Sequence, residues 1–263
     1  MRTQSTQTYS AWLICLSGIV LIALQQALAG WVLLALATAT LALGEKKVAR
    51  QMLLIIIGLA ILGITPISTD ISPRHFLIMG ATLAVAIVVP YAISRFVYQD
   101  YIVQYHWFNG RMWYPSEYFY VALTAMIAYL LLPYYLKSTG AYLNWPSAKD
   151  PSSIVRLFIG TNALGIWDEL FFVNTVLGIL RRHFTFFYAN IFQAILFTSF
   201  LYELGFTGWG PAMIFPFALL QGYIFMKTQS LFYVITIHLT LDAVLFLAII
   251  YSHHPNLVPI FIS

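Results

Sequence analysis

Apolar residues in this chain come in runs long enough to cross a bilayer, separated by short segments rich in turn formers and charge. The runs suggest nine spans, near 11–29, 31–44, 52–68, 76–94, 117–136, 154–180, 188–205, 211–226 and 230–251. A span needs about 20 apolar residues, so 31–44 and 211–226 are short and are expected to tilt or to stop partway. The predicted fold class is all-α, a polytopic transmembrane helical bundle of about 8–9 spans.

Composition agrees. The chain is 61% hydrophobic and only 8% charged, against about 25% charged residues in a soluble domain. Its net charge of +4 sits mostly in short loops, so it reads as topology information and not as a nucleic-acid footprint. The single cysteine, Cys15, excludes an internal disulfide framework and a Cys-based zinc site. Ala27-Leu28-Ala29 resembles a signal-peptidase site, but Arg2 alone is a weak positive region and further spans follow at once, so the first helix is read as retained.

Basic residues orient the bundle. Lys46, Lys47 and Arg50 follow the second span, Arg95 and Arg111 the fourth, Arg181 and Arg182 the sixth, and Lys227 the eighth. A cytoplasmic N-terminus puts all four groups inside, with Arg74, Lys137 and Lys149 opposite. The loop 95–120 is crowded with aromatics, among them Tyr98, Tyr101, Trp107, Trp113 and Tyr114. Such rings favour the headgroup layer, so an interfacial helix is expected there.

Four of the nine acidic residues, Asp168, Glu169, Glu203 and Asp242, fall inside these apolar stretches. A carboxylate at the bilayer centre costs roughly 2.5–3.5 kcal/mol on insertion scales, so the four are expected to share protons, hydrogen bonds or a cation inside the bundle. Asp168 and Glu169 are adjacent and point about 100° apart around their helix. Asn162, seven residues before Glu169, lies on nearly the same face and is placed to reach towards it through water. His238 and Asp242 are spaced i,i+4, which stacks imidazole and carboxylate on one side of a helix. Asn174, Gln193 and Gln221 read as interhelical hydrogen-bond partners. Arg181, Arg182 and His183 read as a helix end, and His253 and His254 as an exposed tail.

The stretch from about 160 to 246 resembles the catalytic half of the CPBP family, also called ABI. These are intramembrane proteases that include CAAX prenyl endopeptidases and bacteriocin-processing proteins. The family carries Glu-Glu-x-x-x-Arg, then Phe-x-x-x-His, then His-x-x-x-Asn or His-x-x-x-Asp. Here Asp168-Glu169-Leu-Phe-Phe-Val173 stands for the first and His238-Leu-Thr-Leu-Asp242 for the third, while Gly222-Tyr-Ile-Phe-Met-Lys-Thr-Gln-Ser-Leu231 is similar to the family's approach to the last helix. Three positions depart. Asp168 replaces the first glutamate, Val173 the arginine, and Glu203 aligns with the second-motif histidine, with Ser199 at its Phe position. The resemblance divides the chain into N-terminal helices with the aromatic segment (1–150), a catalytic-type helical core (151–252) and a short tail (253–263).

The resemblance implies peptide-bond hydrolysis of a membrane-associated or lipidated protein or peptide. Asp168 would be the general base, Glu169 its support, and Glu203 a second acid or base. His238, with Asp242 when protonated, would donate hydrogen bonds to the oxyanion. The residue types also suit a divalent metal such as zinc, held by Asp168, Glu169, Glu203 and His238, with a bound water as nucleophile. Two other classes stay open: a non-catalytic scaffold or assembly factor, suggested by the missing Arg and His, and a cation or proton transporter. Membrane lipid and a peptide substrate are the expected partners, with no nucleic acid. The expected location is a bacterial inner membrane with the N-terminus cytoplasmic.

Overall fold

The computed structural model describes residues 2–261, and all of the regular structure among them is helical. Nine helical rods follow one another among the described residues. They are α1 (Arg2–Gly18), α2 (Ala27–Ala42), α3 (Lys46–Leu62), α4 (Pro73–Ala92), α5 (Pro115–Thr139), the continuous rod α6 (Pro151–Asp168) to α7 (Leu177–Leu180), α8 (Phe186–Glu203), α9 (Gly210–Thr228) and α10 (Leu231–His253). Three of the rods contain π-helical turns, at Ile19–Ala23 after α1, Ile93–Tyr98 after α4, and Glu169–Val176 between α6 and α7.

Five rods are long and apolar enough to cross a membrane: Thr6–Ala23, Pro73–Tyr98, Pro115–Thr139, Pro151–Leu180 and Leu231–His253. The 16 residues of α2 reach only about 24 Å, in line with a short second span. The third rod is displaced from its expected place. It runs from Lys46 to Leu62, and its start lies earlier than expected because its first two turns carry Lys46, Lys47 and Arg50, which an apolar pattern does not count.

Burial singles out the central element. The best apolar window of Pro151–Leu180 is 72% buried, against 22% for Pro73–Tyr98. Neighbours pack against most of this rod: α10 packs along α6, while α8, α9, α10 and α4 all touch the π-helical segment. Its start is written in the sequence. Asp150 accepts hydrogen bonds from the Ser152 and Ser153 amides, at 3.0 Å each, and Pro151 takes the first helical position.

The aromatic segment is not an interfacial helix. Residues 99–114 contain no helix at all. Gln99, Tyr101 and Gly110 adopt left-handed φ of 53°, 50° and 74°, which helix cannot contain. Asp100 anchors the turn by accepting from Gln51 Nε2 (3.0 Å), Ser94 Oγ (2.8 Å) and the Ile102 amide (3.2 Å). Partial burial pushes its carboxyl up, but those bonds outweigh burial and hold it below the usual carboxylate range. The segment then caps α10, whose first amides have no partner within the helix. Leu231 N and Phe232 N donate to the carbonyls of His106 and Trp107 at 2.9 and 3.0 Å.

The opposite end is tied just as firmly, and the histidines read as a tail take part in it. His253 is still in α10, with Nε2 3.0 Å from the Tyr142 and Trp145 carbonyls, and His254 Nε2 lies 2.9 Å from Ser147 Oγ.

Candidate active site

Glu169 opens the π-helical segment of the central rod, and its side chain is completely buried. A π-turn widens the helix by one residue and re-aims the side chains around it. Thr175 shows the wider register, with its hydroxyl donating to the Leu170 carbonyl five residues back, at 2.8 Å. Glu169 and Asp168 thereby face the same histidine on α10 from two directions.

His238 is the hub. Its Nδ1 lies 2.8 Å from Glu169 Oε1, and that same oxygen accepts from Gln221 Nε2 of α9 at 2.7 Å. The amide nitrogen donates to that oxygen, and an Nδ1–H on His238 would donate to it as well. The other ring nitrogen, Nε2, faces two carboxylates, Asp168 Oδ2 and Asp242 Oδ1, each at 3.9 Å. That is ion-pair range but beyond a direct hydrogen bond. Phe197 of α8 and Phe217 of α9 flank the ring, with centroids at 5.9 and 5.4 Å.

Gly165 allows α6 and α10 to come this close. A Cβ there would run into Asp242 Oδ2 and lie 2.9 Å from His238 Cδ2. Both Asp168 oxygens, Glu169 Oε2 and Asp242 Oδ2 are buried with no hydrogen-bond partner among the described residues. Such groups are costly in a core unless they have work to do. Asp168, His238 and Asp242 line a cavity of about 280 Å³ between α5, α6, α9 and α10, whereas Glu169 stands behind the ring. The cavity walls are otherwise mainly apolar, and Ile127 and Leu220 carry them to the exposed surface of the bundle.

Four of the five residues singled out in the sequence thus meet, and Glu203 does not join them. It is the last residue of α8, about 9 Å further along that helix than Phe197. There it accepts a hydrogen bond from Gln25, in the turn between α1 and α2. The residue of α8 that faces the histidine is Phe197, so the second-motif alignment through Glu203 does not correspond to the geometry. The four-residue metal set of Asp168, Glu169, Glu203 and His238 is therefore not assembled. No group of three or more His, Cys, Asp or Glu among the described residues is placed to hold a metal ion.

Two further expectations change. Asn162 does not approach Glu169, because its amide donates to the Phe158 carbonyl one turn back, at 2.8 Å. Gln221 is more than a helix-packing amide, since it bonds Glu169 directly. It also donates to the Val234 carbonyl at 3.1 Å, which ties α9 to both site helices. Only its apolar surroundings in sequence hinted at this. Val173, at the position where the resembled motif has arginine, is fully buried against Phe225, Leu231 and Val234.

Compared with known families, residues 150–244 match the family described as type II CAAX prenyl endopeptidase Rce1-like. No curated protein and no solved structure matches the chain. The matched stretch begins at the N-cap of α6 and ends two residues past Asp242, so it contains the whole cluster. Through residues 150–244 the chain is similar to the CAAX proteases of the CPBP family.

Proposed function

We propose that this protein is an intramembrane endopeptidase that hydrolyses a peptide bond of a membrane-associated or lipidated substrate. One observation carries the reading. Three ionisable side chains, Asp168, His238 and Asp242, converge on an apolar cavity that reaches the membrane-facing surface, and a fourth, Glu169, fixes the histidine from behind. A substrate segment entering between α5 and α9 would meet them without crossing water.

In this mechanism Asp168 takes a proton from water as the oxygen attacks the carbonyl carbon. The carbonyl becomes an oxyanion, which His238 Nε2–H and protonated Asp242 stabilise by donating hydrogen bonds. For Nε2 to donate while Nδ1–H is bonded to Glu169, the ring must be imidazolium, and the Asp168 and Glu169 carboxylates lie beside it. Asp168 then returns its proton to the leaving amine as the C–N bond breaks. Glu169 and Gln221 are positioning residues, since neither reaches the cavity. No step is routed through a metal, because the residues as placed do not form a ligand set.

A second reading is a non-catalytic relative that binds a membrane peptide. Its support is local: Val173 packs in an apolar cluster, and Phe197 is the side chain of α8 that faces His238. We place the protein in a bacterial inner membrane, on its apolar helices and the basic bias of one end.

The test compares peptide termini in membranes from cells making the wild type or Glu169→Gln at matched levels. The proposal expects termini that appear only with the wild type and persist with a chelator. Identical termini with both proteins folded and abundant would favour the binding reading. Termini lost with chelator would bring a metal back into the chemistry.

A further inference from the structure

The central rod carries a second polar face beyond the cluster, towards its Arg181 end. Asn174, Gly178, Arg181 and Arg182 follow one another at i, i+4, i+7 and i+8 and line a cavity of about 330 Å³. His106 of the 99–114 segment and Gln229 at the end of α9 help to close it.

Its chemistry is that of an anion receptor. No carboxylate lines it. Arg181 and Arg182 are exposed, and among the described residues the only arginine ion pair within 4.0 Å is Arg111–Glu117. Asn174 is 5% exposed, yet its Nδ2 donates to no partner among the described residues. Beside Gly178 there is open space, so a ligand can approach the helix closely. Glu45 and Asp100 line the adjoining cavity on the far side of Arg182. Asp100 is already engaged by Gln51, Ser94 and Ile102. Two guanidinium groups and a buried amide suit a tetrahedral anion with several acceptor oxygens. The surrounding aromatic segment, with Tyr101 and Trp107 exposed, has the composition of the headgroup layer.

We propose that this pocket binds a phosphate group, carried by an acidic phospholipid headgroup or free as inorganic phosphate. The site is independent of the hydrolytic reading, and its test needs no substrate.

The full-length protein in detergent is titrated with phosphatidylglycerol, with phosphatidylcholine as reference, and bound lipid is counted by native mass spectrometry. A parallel arm replaces chloride by inorganic phosphate at constant ionic strength. The double variant Arg181→Gln with Arg182→Gln should bind at least about tenfold more weakly. Lys46→Gln with Lys227→Gln, which removes the same charge from exposed residues outside the pocket, should stay within about twofold of wild type. Asn174→Ser, checked for folding by melting, should weaken binding without changing charge. Competition by millimolar phosphate that the arginine variant abolishes would identify the free anion as a sufficient ligand. Selective phosphatidylglycerol binding without competition would identify the headgroup. Equal losses in the two double variants, or no loss in either, would overturn the proposal.

Discussion

At the scale of residues, the site depends on how closely three helices approach one histidine. His238 and Gln221 share one oxygen of Glu169, so the imidazole, the carboxylate and the amide form a single buried network. Gly165 sets the distance from α6 to α10. Gly165→Ala should push Asp242 and His238 away from Asp168, with a cost of about 1–3 kcal/mol from overpacking. Misplacement of reacting groups by about 1 Å can cost about a hundredfold in rate, so cleavage should fall much further than the melting temperature. A Gly165→Ala protein with unchanged cleavage would show that this contact does not hold the site. The acidic pair and the His238–Asp242 spacing were legible in sequence because adjacency and i,i+4 are local geometry. Gln221 and Glu203 were not, since which side chain of α8 or α9 reaches α10 depends on where along its length each helix crosses the others.

At the scale of elements, helices were legible because apolar runs and Pro or Asp starts mark them directly. Two features escaped that pattern. The π-helical segment Glu169–Val176 leaves no apolar signature, although it decides where Glu169 points. The segment 99–114 has the composition of an interfacial helix, but its left-handed residues and its hydrogen bonds to the start of α10 make it a cap. The same local packing accounts for Val173. It lies in a small apolar cluster with Phe225, Leu231 and Val234. Restoring the arginine of the resembled motif would bury a cation within that apolar cluster. Val173→Arg should therefore cost about 3–5 kcal/mol and lower the melting temperature in detergent, and cleavage should not improve. A stable, more active variant would mean that the cluster opens to the carboxylates.

At the scale of the whole molecule, the two ends of the bundle differ in charge. Lys46, Lys47, Arg50, Arg95, Arg111, Arg181, Arg182 and Lys227 gather at one end, and Arg74, Lys137, Lys149 and Arg156 at the other. The positive-inside rule assigns the richer end to the cytoplasm. Because Cys15 is buried, single cysteines can report this. Lys149→Cys should react with a membrane-impermeant maleimide in intact cells, and Lys227→Cys only after permeabilisation; the reverse pattern would invert the topology. In that proposed orientation the Arg181 pocket would lie in the inner leaflet and the His238 cluster deep between the two surfaces. The proposed assignment gives catalysis to the cluster around His238 and not to every acid within the apolar spans. It is tested most directly by measuring cleavage of one identified substrate bond by Asp168→Asn and Glu203→Gln side by side, with both proteins confirmed folded. Asp168→Asn should lose about a hundredfold or more, and Glu203→Gln should stay within about twofold of wild type. A silent Asp168→Asn, or a Glu203→Gln as damaged as the cluster variant, would contradict it.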